Sequence, residues 1–123
     1  MEAKTLTKGQ KREIRRLAGL AYEREQTAAV AALEQQFQRW RAGEIDVFTL
    51  NEEIHKYHNG IQRELYKRYA MGDLDTGVAC AVAHGFLQQT EIAPEIMSYI
   101  GGMVGLFQES NAASEPETEE RQL

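Results

Sequence analysis

The sequence predicts an all-α fold, and three observations carry that prediction. No proline interrupts the chain from about Lys8 to Ala42. Apolar residues recur at steps of three and four, the period of an amphipathic helix. The apolar/polar alternation of a half-buried strand appears nowhere in the chain. The 123 residues read as a long helix 1 and a helix 2 forming an antiparallel hairpin, followed by two shorter helices packed through small residues. Residues 1–108 are expected to form a single helical domain, and residues 109–123 a disordered acidic tail.

The first helix contains Gly9 and Gly19 as its only glycines before Gly43. In its second half Val30, Leu33, Phe37 and Trp40 follow at steps of three, four and three, on one stripe. Ile14, Leu17, Ala21 and Ala28 form an earlier stripe out of step with it, so a shift of the buried face near Gly19 or Thr27 is expected. A helix of this length is marginal in water by itself, and part of it is expected to lie against another chain.

Gly43 is placed to close that helix as a left-handed cap, with Ile45 just beyond it able to fold back onto the last turn. Thr49 and Glu52 form an S/T-x-x-E capping box that opens the second helix. The intervening loop of about six residues makes the two helices antiparallel neighbours. At roughly 100° per residue, Val47, Leu50, Ile54, Ile61 and Leu65 share the core face of helix two, with Tyr57 and Tyr69 at its borders.

Asp73 or Asp75 is positioned to cap a third helix. On it Gly77, Ala81 and Gly85 form a small-residue ridge, and Leu74, Val78, Val82 and Phe86 a bulky one. Pro94 suits the first turn of a fourth helix, which carries Ile96, Ile100, Val104 and Phe107 together with the small pair Gly101 and Gly105. The matching small ridges predict close packing of helices three and four as a second hairpin.

The formal net charge of −5 is unevenly distributed. Residues 1–16 carry six cations, Lys4, Lys8, Lys11, Arg12, Arg15 and Arg16, against Glu2 and Glu13. Residues 109–123 carry Glu109, Glu115, Glu117, Glu119 and Glu120 against Arg121, in a setting too poor in apolar surface to order itself. The single cysteine, Cys80, leaves no partner for an internal disulfide and fits a reducing compartment, so the cytoplasm is expected. No apolar run follows the N-terminal cations, so no secretory signal is expected. The most apolar stretch, Gly77 to Leu87, is about half the ~20 residues of a membrane-spanning helix.

Few groups point to chemistry. Glu52-Glu53-Ile54-His55 contains the Glu-x-x-His spacing that carries two metal ligands on one helix of a ferritin-like bundle. With Ile54 at the centre of the core face, however, Glu52 lies about 160° and His55 about 100° away. A di-iron site would then need Glu23, Glu25 or Glu34 from across a dimer. His58 is about 40° from the core centre and is expected to be semi-buried. His55 and His58 with Cys80 and His84 would make four ligands for zinc. Cys80 itself sits among Ala and Val, where a buried thiol is inert. No glycine-rich phosphate loop is present.

Trp40-x-x-Gly43-x-Ile45, Ile54-His55-x-x-His58, Arg63-Glu64-Leu65-Tyr66-x-x-Tyr69, the Ala-Val-Ala-x-Gly segment ending at Gly85, and Ile92-x-Pro94 together resemble a family of small uncharacterised bacterial helical proteins, over residues of about 40–100. The resemblance implies the hairpin architecture and a bacterial source, and it carries no activity or cofactor.

The expected function is a non-enzymatic helical protein–protein interaction module that self-associates as a dimer and also binds another protein, without cofactor or membrane. Val30, Leu33, Phe37, Trp40, Tyr57, Arg63, Tyr66 and Arg68 are its expected interface, because aromatic and arginine side chains anchor interfaces. The alternative is a metal-binding helical protein using His55 and His58, with Cys80 and His84 for zinc or with glutamates for iron. A third reading is a nucleic-acid-binding regulator working through the basic N-terminal helix, against which the acidic pI of about 5.2 weighs.

Overall fold

The computed structural model of the chain describes residues 5–114, with side chains through Ser110. Regular structure among the described residues is entirely helical. Helix α1 is Lys8–Arg41, α2 occupies residues 47–71, α3 is Leu74–Ala83 and α4 is Pro94–Ser114, with a 3-10 turn at Gln89–Glu91 ahead of α4. The described residues sort into two compact units: Tyr22–Gly72, and residues 5–21 together with 73–114. The backbone of α4 continues through Ser114, into the stretch expected to be a tail. The rest of that expected tail lies outside the described residues.

Helix α1 opens on a reciprocal cap that the sequence reading passed over. The Thr7 hydroxyl accepts the Gln10 N–H, and the Gln10 side-chain carbonyl accepts the Thr7 N–H, each at 3.0 Å. The helix closes as expected at Gly43, whose φ is +80°. There the Glu44 N–H donates to the Arg39 carbonyl at 2.9 Å and the Gly43 N–H to the Trp40 carbonyl at 3.0 Å. These are the two bonds by which a left-handed residue satisfies the last carbonyls of a helix.

The buried face of α1 does turn between its two halves, but gradually and without a break at Gly19 or Thr27, because the steps of four from Ala21 through Glu25 and Ala29 to Leu33 each advance it by about 40°. Ile14, Leu17, Ala18, Ala21 and Glu25 are buried in succession, and Ala29, Leu33 and Gln36 continue the line half-buried. Following apolar residues only hides how the two stripes connect. Glu25 holds a place on the stripe that an apolar pattern skips, while Ala28 is exposed.

Helix α2 departs from the sequence reading in two ways. Its cap is Asp46, whose carboxylate accepts the Thr49 N–H at 2.7 Å. Thr49 is therefore already inside the first turn, supplying an unpaired N–H instead of capping one. Secondly, residues Tyr57–Ile61 and Lys67–Met71 form π turns, and the Gln62 N–H reaches the Tyr57 carbonyl five residues back. Each wide turn takes in extra backbone and resets the face.

The inward residues of α2 are consequently Leu50, Glu53, Tyr57, Gln62, Leu65 and Tyr69, with a step of five across the first π turn. A constant 100° per residue cannot follow that step. Val47 (51% exposed), Ile54 (36%) and Ile61 (37%), expected in the core, stand in solvent, whereas Tyr69 is buried. His58, expected to be semi-buried, is exposed for the same reason.

In the other unit, Ile14, Leu17, Ala18 and Ala21 of α1, all of Gly77–Val82 in α3, Leu87, Ile92, and Ile96, Ile100 and Val104 of α4 make the core. Gly85 is not part of a ridge on α3. It has φ +84° and ends the helix, with the Phe86 N–H donating to the Ala81 carbonyl at 2.8 Å and the Gly85 N–H to the Val82 carbonyl at 3.1 Å. Asp73 is the cap residue of α3. Asp75 instead accepts the Tyr99 hydroxyl of α4 at 3.0 Å. Helix α4 starts at Pro94, as expected. A Cβ placed on Gly101, Gly102 or Gly105 would meet no atom within 4 Å, so no neighbouring backbone approaches closely there. No helix of the described residues is long and apolar enough to cross a membrane.

Candidate functional site

The densest polar cluster belongs to the unit Tyr22–Gly72 and centres on Glu25, a carboxylate only 9% exposed. One of its oxygens accepts the Arg68 guanidinium at 2.9 Å, and the other accepts the Tyr69 hydroxyl. The Tyr22 ring stacks on Tyr69 with centroids 5.2 Å apart and planes 17° from parallel. The Arg68 guanidinium also lies 5.8 Å from the centroid of the Tyr69 ring. Burial first, and then the hydrogen bond and charge of Glu25, push the Tyr69 hydroxyl well above the ordinary tyrosine value.

Next along α1, the Gln26 amide donates to the Tyr57 hydroxyl at 2.6 Å and to the Gln62 side-chain carbonyl at 3.0 Å. Tyr57 and Gln62 bracket the first π turn, and Arg68 and Tyr69 belong to the second. The two wide turns thus bring four polar side chains of α2 to two consecutive residues of α1. Both carboxylate oxygens of Glu25 are occupied, and among the described residues no buried side-chain nitrogen or oxygen lacks a partner. The cluster is built to clamp helices together.

Beside this clasp the same unit leaves a large share of its apolar side chains in water. Val30, Trp40, Val47, Phe48, Ile54, Ile61, Tyr66 and Met71 are exposed, Phe48 to 77%. In the other unit Leu106 is the one large hydrophobic so exposed among the described residues. An open groove of about 310 Å³ is lined by Ala29, Ala32, Leu33, Gln36, Glu53, Tyr57 and Ile61. A second, of about 290 Å³, lies on α1 along Val30, Leu33, Phe37 and Arg41.

The residues singled out from sequence are placed as follows. Among the expected interface residues, Val30, Trp40, Arg63 and Tyr66 are exposed, and Leu33, Phe37 and Tyr57 half-buried. Arg68 is engaged with Glu25. Of the expected metal ligands, His55 and His58 are exposed, and Cys80 is buried as expected. His84 donates from Nδ1 to the Cys80 carbonyl at 2.8 Å, with the Cys80 Sγ 3.4 Å away. Three or more His, Cys, Asp or Glu side chains grouped to hold a metal ion are not found among the described residues. The basic residues Lys8, Lys11, Arg12, Arg15 and Arg16 are all exposed on the first turns of α1.

Comparison with protein-family models, with curated proteins and with solved structures finds no match. The sequence reading missed Glu25 as a structural centre. The available signal was an acid on the α1 stripe that also carries Ile14, Leu17, Ala18 and Ala21, with Arg68-Tyr69 downstream to receive it.

Proposed function

We propose that the protein is a non-enzymatic helical interaction module whose unit Tyr22–Gly72 is an antiparallel hairpin that pairs with a second copy. The observation carrying this reading is the exposed apolar set on α2 and the second half of α1, set against the single such residue in the other unit. The antiparallel sense is supported by the order of partners: Tyr22 stacks on Tyr69, Glu25 engages Arg68 and Tyr69, and Gln26 reaches back to Gln62 and Tyr57.

Two helices alone form one layer, and an apolar stripe needs a second layer to cover it. Another hairpin supplies that layer in a four-helix bundle. Size is adequate. Residues 22–41 of α1 are roughly 30 Å long and two helices side by side about 20 Å wide, so a face offers about 600 Å² per partner, at the lower end of stable interfaces.

The test is sedimentation equilibrium at micromolar concentration, with circular dichroism in parallel. The native chain should be dimeric, with a melting temperature that rises with protein concentration. The double variant Phe48→Glu, Ile54→Glu should be a monomer that keeps its helicity. A native chain that stays monomeric and fully helical across that range would refute the reading.

A further inference from the structure

The second half of α1 has unlike flanks on either side of its inward line. Counted at about 100° per residue from Leu33, Ala29, Ala32 and Gln36 lie about 40–100° to one side, where with Glu53 of α2 they line the groove of about 310 Å³. Val30, Glu34, Phe37 and Arg41 lie about 40–100° to the other side, along the second groove. On α2, Glu53 is about 60° from Leu50 in the first sense, and Val47 and Ile54 are about 40–60° from it in the other. In an antiparallel pair of helices, equal senses of rotation lead to the same face. The face opposite the Ala29–Glu53 groove therefore joins Val30, Glu34, Phe37 and Arg41 of α1 to Val47 and Ile54 of α2.

The charges on this face complement a rotated copy of themselves. Glu34 and Arg41 are exposed and seven residues apart, about 10.5 Å along the helix, with half-buried Phe37 between them. Neither is ion-paired among the described residues. A two-fold axis crossing the face at the level of Phe37 and Gln38 lays a second α1 antiparallel on the first and sets each Glu34 opposite Arg41 of the other copy. The same rotation exchanges Val47 with Ile54, again seven residues apart. Their midpoint, between Leu50 and Asn51, is level with the axis. Gln26 bonds to Gln62, and the midpoint of each helix lies eleven to twelve residues from that bond toward the turn.

We infer that the hairpin pairs through this face about that two-fold axis, with two reciprocal Glu34–Arg41 ion pairs setting the register and selecting a second copy as partner. The inference rests on the pairing proposed above, and it adds the face, the direction and the side chains that choose the partner. Such an interface is isologous, so each charge match occurs twice. The turn at Gly43 limits the overlap to about 20 Å, or about 400 Å² of each copy, the scale of a reversible association. The groove at Ala29 and Glu53, on the other face, stays open in this dimer.

Sedimentation equilibrium across the micromolar range tests this, with circular dichroism to check that each variant keeps its helices. Glu34→Arg alone sets cation against cation and Arg41→Glu alone sets acid against acid, so each should self-associate about tenfold more weakly than the native chain. An equal mixture of the two variants should recover native association, as heterodimers identified by native mass spectrometry with one variant isotope-labelled. Ala32→Lys, on the opposite face, should leave association unchanged. A native dimer indifferent to both charge reversals, a mixture no tighter than its components, or a dimer lost with Ala32→Lys would overturn the assigned face while leaving pairing itself standing. A native chain that stays monomeric would remove pairing and this inference together.

Discussion

The Tyr69 hydroxyl donates to the buried carboxylate of Glu25. One bond thereby joins α1 to the second π turn of α2 and holds the acid's second oxygen while Arg68 holds its first. Removing the hydroxyl leaves half of a nearly buried charge unsatisfied. Tyr69→Phe is expected to destabilise the protein by about 1–3 kcal/mol, with Arg68→Met of similar or smaller effect because the arginine is partly hydrated. Urea unfolding followed by circular dichroism checks this, and a Tyr69→Phe chain as stable as the native one would contradict the clasp.

Alkaline titration provides an independent measure of the same contact. The ordinary tyrosine value is about 10. Tyr69 is raised above it by burial and by Glu25, and Tyr99 is raised by its hydrogen bond to Asp75 and that carboxylate's charge. A group whose proton is held more tightly in the folded state stabilises that state fully below its unfolded pKa, and the contribution is lost as pH rises through the folded one. Stability should hold up to about pH 10 and fall above it. Absorbance at the phenolate band should show Tyr69 ionising only with unfolding, and all five tyrosines ionising together in the native protein would be the contrary result.

The first π turn makes deletion tolerable where it is ordinarily damaging. Removing Asn59 shortens the step from Tyr57 to Gln62 from five residues to four, which an α-helix accommodates with both still facing Gln26. Removing Glu52, in the regular turn before it, rotates Leu65 and Tyr69 by about 100° relative to Leu50. The Asn59 deletion should keep a cooperative thermal transition near the native temperature, while the Glu52 deletion should lower it sharply or abolish it.

Two glycines on opposite sides of the same argument predict opposite signs. Gly43→Ala forces a side chain into φ +80° and should destabilise by about 1–2 kcal/mol. Gly101→Ala lies in the interior of α4, where an added Cβ meets nothing, and should stabilise by about 0.5–1 kcal/mol. Thermal melts of the two variants at one protein concentration make the comparison.

The parts of the fold legible in the sequence were those written in local chemistry. Gly43 after a long apolar period, and Pro94 ahead of another, are each decided by one residue's backbone preferences. What escaped depends on more than periodicity. The π turns carry ordinary helical backbone angles at their flanks and no sequence mark of their own, so Ile54 and Ile61 were assigned inward and Tyr69 to the border. Gly85 follows Gly77 and Ala81 at steps of four and was read as a ridge, although the same residue type ends α1. Thr49 fitted a capping box, yet Asp46 stood one turn earlier with the stronger acceptor. Glu25 was legible only as a charge, since its burial is set by Arg68 and Tyr69 more than forty positions away.

Ala21 and Tyr22, the residues on either side of the border between the two compact units, are consecutive members of α1. The border therefore falls inside a helix. A break at that border would sever hydrogen bonds inside the helix and leave each fragment with a stub of marginal length. A residue inserted at this point would turn everything after it on α1 by about 100° relative to Ile14, Leu17 and Ala18.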